Sequence, residues 1–157
     1  TSITASRPGM STLTGPLHPE DLIDMAHSPA YFLAAGAADK HFGWVHATPE
    51  KISDPVIHSL IDKVAIGPEP TENADAYRQG ATVTIKATDG RSITNTVLVP
   101  TGAGCLGIDW VDIDTKYRAL APNAPMTDRQ VEASLDAIHG FRNMAHIATL
   151  IDLLRIN

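Results

Sequence analysis

Apolar residues alternate with polar ones where Ala81, Val83, Ile85 and Ala87 are separated by Thr82, Thr84 and Lys86. A period of two predicts a half-buried strand. Asp89-Gly90 supplies a tight turn and 92-SITNTVLV-99 a partner, so a β-hairpin is expected here. Upstream the period is helical. Thr48-Pro49-Glu50 and Asp54-Pro55 are two helix starts in quick succession, and after the second Val56, Ile57, Leu60, Ile61 and Val64 share one helical face. Pro19-Glu20-Asp21 opens another helical pattern, with acidic residues suited to the positive end of the helix dipole. Ser28-Pro29 reads as a cap followed by a proline in the first helical position. The helix it restarts runs to about Lys40, with Gly43 beyond as a stop. Gly36 in its interior costs roughly 1 kcal/mol relative to Ala, so a close backbone contact is expected there.

Residues 2-SITA-5 form the tail of a strand that ends at Arg7-Pro8-Gly9, and 64-VAIGP-68 adds another before a polar loop through Asn73. The glycine-rich stretch 100-PTGAGCLGID-109 leaves the hairpin. Helices follow from Asp112 to Leu120, from a cap at Thr127 through Val131, Leu135 and Ile138, and, after Gly140, from Met144 to Leu154. The sum is an α+β fold, a single domain over 1–157 with helices packed on one face of a small antiparallel sheet that carries the hairpin.

Composition narrows the class. The 157 residues suffice for one real core, and 43% hydrophobic with 19% charged residues is neither disordered nor membrane-like. No apolar run approaches the roughly 20 residues that span a bilayer. A formal net charge of −6 with dispersed basic residues argues against nucleic acid or an acidic membrane as partner. The single cysteine, Cys105, excludes an intrachain disulfide and a cysteine-based zinc framework, and a reducing, cytoplasmic setting is expected. The start, TSITASRPGM, lacks the layout of a signal peptide and reads as the beginning of a fragment inside a longer protein.

Few motifs carry chemistry. His41 and His46 have no carboxylate at a ligand spacing and His18, His58, His139 and His146 are scattered, so structural histidines are expected and no metal. Gly102, Gly104 and Gly107 match a loose G-x-G-x-x-G in spacing only and read as a connector, with no nucleotide or other cofactor. Cys105 has no local base motif, and Ser28 lies in no G-x-S-x-G elbow. There remain His27, Ser28 and Tyr31, clustered at a helix start. Structurally, Ser28 caps the helix and Tyr31 packs with its hydroxyl at the rim. Functionally, free backbone N–H groups, a hydroxyl and an imidazole can bind a carboxylate together, and Arg7, if nearby, adds a charge-assisted clamp.

The order of these features resembles a known family. The stretch 27-HSPAYFLAAGAADKHFGW-44 is similar to the HS-x-x-Y-x-x-A helix of MmgE/PrpD proteins, and 49-PEKISDPVIHSLIDKVAI-66 to the segment that follows it. The hairpin 81-ATVTIKATDGRSITNTV-97 resembles the family's v-x-v-x-x-x-DG hairpin, and 112-DIDTKYRAL-120 its lysine helix, with Lys116 and Tyr117 at the Lys-Phe positions. Two departures stand out. Pro29 directly follows Ser28, and the 100–109 connector lacks the usual Gly-x-Pro approach to the lysine helix.

The family includes 2-methylcitrate dehydratase, cis-aconitate decarboxylase and iminodisuccinate epimerase. The resemblance implies the smaller α+β lid domain, whose cleft is completed by a large all-helical domain with no counterpart in this sequence. It further implies a lyase or isomerase that removes a proton next to a carboxylate of a small di- or tricarboxylate. On that basis His27 and Tyr31 would be catalytic, Ser28 and Arg7 substrate-binding, and the chain alone catalytically incomplete. The partners implied are the helical domain of the parent enzyme and, through an exposed interface, a second copy as a homodimer. A non-catalytic binding or assembly module that retains the lid fold is the competing expectation.

Overall fold

The computed structural model describes residues 1–104 and 106–155. They divide into two compact units, Thr1–Pro100 and Thr101–Asn157. In the first, the strands β1 (Ser2–Ser6), β2 (Val64–Ile66), β3 (Ala81–Lys86) and β4 (Ser92–Val97) form one sheet in the order β2-β1-β3-β4. The hairpin is present: β3 and β4 run antiparallel, with Ala81 opposite Val97 and Lys86 opposite Ser92. The sheet is mixed, however. β1 is antiparallel to β3 but parallel to β2, because the chain between β1 and β2 returns through helices rather than a tight turn. The N-terminal strand is therefore central, although its sequence suggested only a tail.

Register sorts the residues by face. Val64, Ile66, Ile3, Ala5, Val83 and Ile85 point to one side, and Thr4, Thr82, Thr84 and Thr94 to the other. Helices α1 (Leu22–Ala26), α2 (Pro29–Asp39), α3 (Pro49–Ile52) and α4 (Pro55–Ile61) pack beside one another and, through α2, on β2. Met25, Ala30, Tyr31, Ala34, Ala35, Ile52, Ile57 and Ile61 build the helical core, and Ile3 and Ala5 are buried in the sheet. The alanines Ala30, Ala34 and Ala35 allow the close approach of α2 to α4.

Several local expectations change. Val56 is exposed, so the buried face of α4 is Ile57 and Ile61. A Cβ on Gly36 would meet nothing within 4 Å, which removes the expected close contact. α2 ends at Lys40 in the left-handed region (φ 62°), ahead of Gly43, which starts a short 3-10 turn instead.

The second unit contains α5 (Trp110–Leu120), α6 (Asp128–His139) and α7 (Ala148–Leu153). Asp109 caps α5, which starts at Trp110, two residues before the expected Asp112, and Thr127 with Gln130 forms a capping box on α6. The expected long last helix is only α7, preceded by a 3-10 turn at Phe141–Asn143. Val131, Ser134 and Leu135 of α6 are its buried residues, and Tyr117 bonds Ser134 across 2.8 Å between α5 and α6. Among the described residues, no helix is long and apolar enough to cross a membrane.

Candidate functional site

The junction of α1 and α2 holds His27, Ser28 and Tyr31. Asp21 caps α1 through the N–H groups of Ile23 and Asp24, and His27 closes that helix with its own N–H on the Asp24 carbonyl. The next residue starts the next helix. Ser28 Oγ accepts from the Tyr31 N–H at 3.1 Å and donates to the Leu17 carbonyl at 3.4 Å, while Pro29 takes the first helical position. Only two residues, His27 and Ser28, separate the helices, and of these His27 is exposed. Gly15 lies directly against it: with φ +75°, its missing Cβ would fall 1.9 Å from the His27 carbonyl oxygen. Only glycine fits there.

Ser28 and Tyr31 point elsewhere. Both are fully buried, and the Tyr31 hydroxyl donates to the His46 carbonyl at 2.8 Å. The expected rim position of that hydroxyl is corrected: α2 turns Tyr31 into the helical core, where burial raises its pKa. His46 is also fully buried. Its Nδ1 accepts from the Gly43 N–H at 3.0 Å, which leaves the proton on Nε2 to donate to Asp39 at 3.1 Å. Asp39 in turn binds Lys51, which also reaches Asp54 at 3.4 Å. The Lys51 hydrogen bond lowers the Asp39 pKa, and the Asp39 bond raises that of Lys51. For Asp54 the backbone N–H of Val56 is the main cause of a lowered value. This network, joining α2, the 3-10 turn, α3 and α4, was invisible to sequence reasoning beyond the capping letters.

Arg7 lines a cavity of about 650 Å³ between the sheet, α2 and the loop after β1. Its floor is apolar, with Ala5, Val83, Phe32 and Leu33, and its rim carries Ser11, Thr12 and Thr14. Pro29 also lines it, so the cavity reaches the first turn of α2, two residues from His27. The Arg7 side chain is exposed and makes no ion pair among the described residues. Arg7 therefore shares a cavity with Pro29 of α2, His27 is exposed but does not line that cavity, and Ser28 and Tyr31 are engaged in internal bonds. The loop 10–14 was missed. The glycines that frame it, Gly9 and Gly15, were the available signal, and both take a positive φ.

Other histidines are less scattered than their spacing suggests. His18 Nδ1 lies 2.9 Å from His58 Nδ1, with Asp62 on the other nitrogen of His18 at 3.1 Å, and His139 meets Asp114 at 2.9 Å. Among the described residues, no group of three or more His, Cys, Asp or Glu side chains could hold a metal ion. Cys105, considered as a nucleophile, lies outside the described residues.

The model of the MmgE/PrpD C-terminal domain family matches residues 2–138. No curated protein matches the chain.

Proposed function

The chain belongs to the MmgE/PrpD family through its C-terminal domain, and from that premise we propose that it forms the substrate-binding lid of a lyase or isomerase. The substrate class is a small di- or tricarboxylate, and the step common to dehydration and epimerisation is removal of a proton from the carbon next to a carboxylate. The electron pair left by that C–H bond moves onto the carboxylate as an enediolate. Cation and hydrogen-bond donors placed there stabilise it. Loss of a β-hydroxyl as water, or return of the proton to the opposite face, then separates dehydration from epimerisation. Decarboxylation instead exchanges a carboxylate for a proton.

In this reading Arg7 binds a carboxylate at the cavity rim, and His27 donates a hydrogen bond or moves a proton. Ser28 and Tyr31 act one step back: the cap and the core bond fix the turn that presents His27. Their expected direct roles would need both hydroxyls to leave existing partners. The helical domain typical of the family would supply the opposite wall and the remaining acid–base groups. The observation that carries the reading is the family match together with an exposed, unencumbered His27 at a junction whose neighbours are all fixed.

Burial of Ser28 and Tyr31 favours a second reading, a non-catalytic module that keeps the fold without the chemistry. Titration of the isotope-labelled chain with citrate decides between them. Shifts at His27, Arg7 and residues 10–14, lost in His27→Asn and Arg7→Gln, are expected. Shifts confined to residues far from these, or none at millimolar citrate, would overturn the lid reading in favour of the module. Turnover of cis-aconitate or 2-methylcitrate by this chain alone at the rate of a complete enzyme would sink the proposed division of labour.

A further inference from the structure

Two histidines away from the α1–α2 junction make a contact that a pair of neutral rings cannot hold. His18, in the loop before α1, and His58, in the middle of α4, bring their Nδ1 atoms to 2.9 Å. The ring planes differ by 13° and the centroids lie 5.1 Å apart, so the rings meet edge to edge with both lone-pair directions along one line. A metal ion needs about 2.0–2.1 Å to each nitrogen, more than half of that gap, so only a proton fits on the line.

The outer nitrogens fix the proton count. His58 Nε2 lies 2.7 Å from the Ile52 carbonyl oxygen, which can only accept, so this nitrogen carries a hydrogen. His18 Nε2 lies 3.1 Å from Asp62 Oδ1 and donates to that carboxylate. Each ring therefore holds its one neutral-state proton on the outer side. Both Nδ1 atoms are then acceptors, and the bond between them requires a third proton across the pair, whose charge Asp62 balances. With two protons, lone pair faces lone pair; with four, N–H faces N–H. Other charged groups stand back. Glu20 lines the same hollow as His58, Asp21 caps α1, and Asp54 caps α4 and bonds Lys51 of α3. Asp62 is the one carboxylate bonded to either ring among the described residues.

His18 closes a loop that bears on the junction. Leu17 before it accepts from Ser28 Oγ, Gly15 rests on the His27 carbonyl, and Pro19 after it is fully buried. We propose that His18 and His58 form a proton-operated latch: one proton shared between their Nδ1 atoms holds the end of the 10–18 loop on α4. Loss of that proton, or gain of another, opens it. The His18 and Asp62 side chains are 44% and 62% accessible, so the latch governs local opening of the loop and contributes little to global unfolding. It operates whether or not the junction binds a carboxylate.

The test follows ring and amide resonances of the isotope-labelled 157-residue chain, without citrate, over about pH 4–9, which brackets the range where histidine changes charge. The His18 and His58 ring nitrogens should titrate as a coupled pair, with a plateau at which one Nδ1 proton serves both. The Gly15 and Leu17 amide shifts should trace a bell, departing from the closed position on both sides. Repeating the series in His27→Asn removes any direct effect of the neighbouring ring on Gly15. His58→Phe keeps a ring and removes the acceptor, so the bell should give way to a single step as His18 titrates against Asp62 alone. Asp62→Asn keeps both rings and removes the balancing charge, so the alkaline limb should move to lower pH. Rings that titrate independently, a bell that survives His58→Phe, or an alkaline limb unmoved in Asp62→Asn would overturn the proposal. Because citrate is absent, failure of the latch and failure of the carboxylate site are separate results.

Discussion

The Tyr31 hydroxyl donates to the backbone carbonyl of His46 across 2.8 Å inside the helical core, tying α2 to the turn that follows it. Tyr31→Phe keeps the ring and removes the donor, leaving a buried carbonyl without its partner. Such a loss costs about 1–3 kcal/mol. Denaturant unfolding should show a lower midpoint with an unchanged slope. An unchanged midpoint would mean that the carbonyl finds another donor and that the bond holds little of the fold.

Two glycines should respond in opposite directions to the same substitution. Gly15→Ala must place a methyl group into the His27 carbonyl at a positive φ, so the α1–α2 junction has to move. The His27 ring resonances should shift and the chain should lose stability. Gly36→Ala meets open space within a regular helix and should stabilise by about 0.5–1 kcal/mol. Thermal melts of the two variants side by side check both signs.

These contrasts mark what sequence can and cannot reveal. The Ser28-Pro29 start was legible because cap chemistry is local: the Ser28 hydroxyl meets an N–H three residues on. The hairpin was legible for the same reason, through alternation and Asp89-Gly90. The central place of β1 was not, since its partners Val64 and Ile85 lie far along the chain. The burial of Tyr31 and Ser28 was not legible either, because position beside a helix start says nothing about which side of the helix faces the core. Gly15 became meaningful only when the His27 carbonyl was found beneath it.

Acid stability should depend on Asp39 and Asp54. Both pKa values are lowered in the fold, the first chiefly by Lys51 and the second chiefly by the Val56 N–H. A group lowered on folding stabilises above its unfolded value, and that contribution is lost as pH falls through the depressed one. The unfolding midpoint should therefore be flat above the ordinary carboxylate value of 3.8 and drop below it. Lys51, raised mainly by Asp39, works in the other direction: its contribution persists below the ordinary value of 10.5 and is lost at more alkaline pH. Asp39→Asn should flatten part of both limbs. A variant whose pH profile overlays the parent at both ends would place the pH dependence outside this network.

Ser28 and His27 are adjacent, yet their substitutions should separate cleanly. Ser28→Ala deletes the cap that accepts from the Tyr31 N–H, a change that costs about 0.5–2 kcal/mol, and it frees the Leu17 carbonyl of its donor. Its effect on citrate binding should be indirect, a weakening that tracks disorder at the α2 start. His27→Asn touches neither helix cap nor core, because the ring is exposed and the backbone bond to Asp24 remains. It should leave the unfolding midpoint within about 0.5 kcal/mol, as exposed substitutions usually do, while abolishing the citrate shifts around the junction. If instead Ser28→Ala removes citrate binding with its melting curve intact, the serine hydroxyl itself binds the carboxylate. The assignment of Ser28 as a positioning residue would then fall.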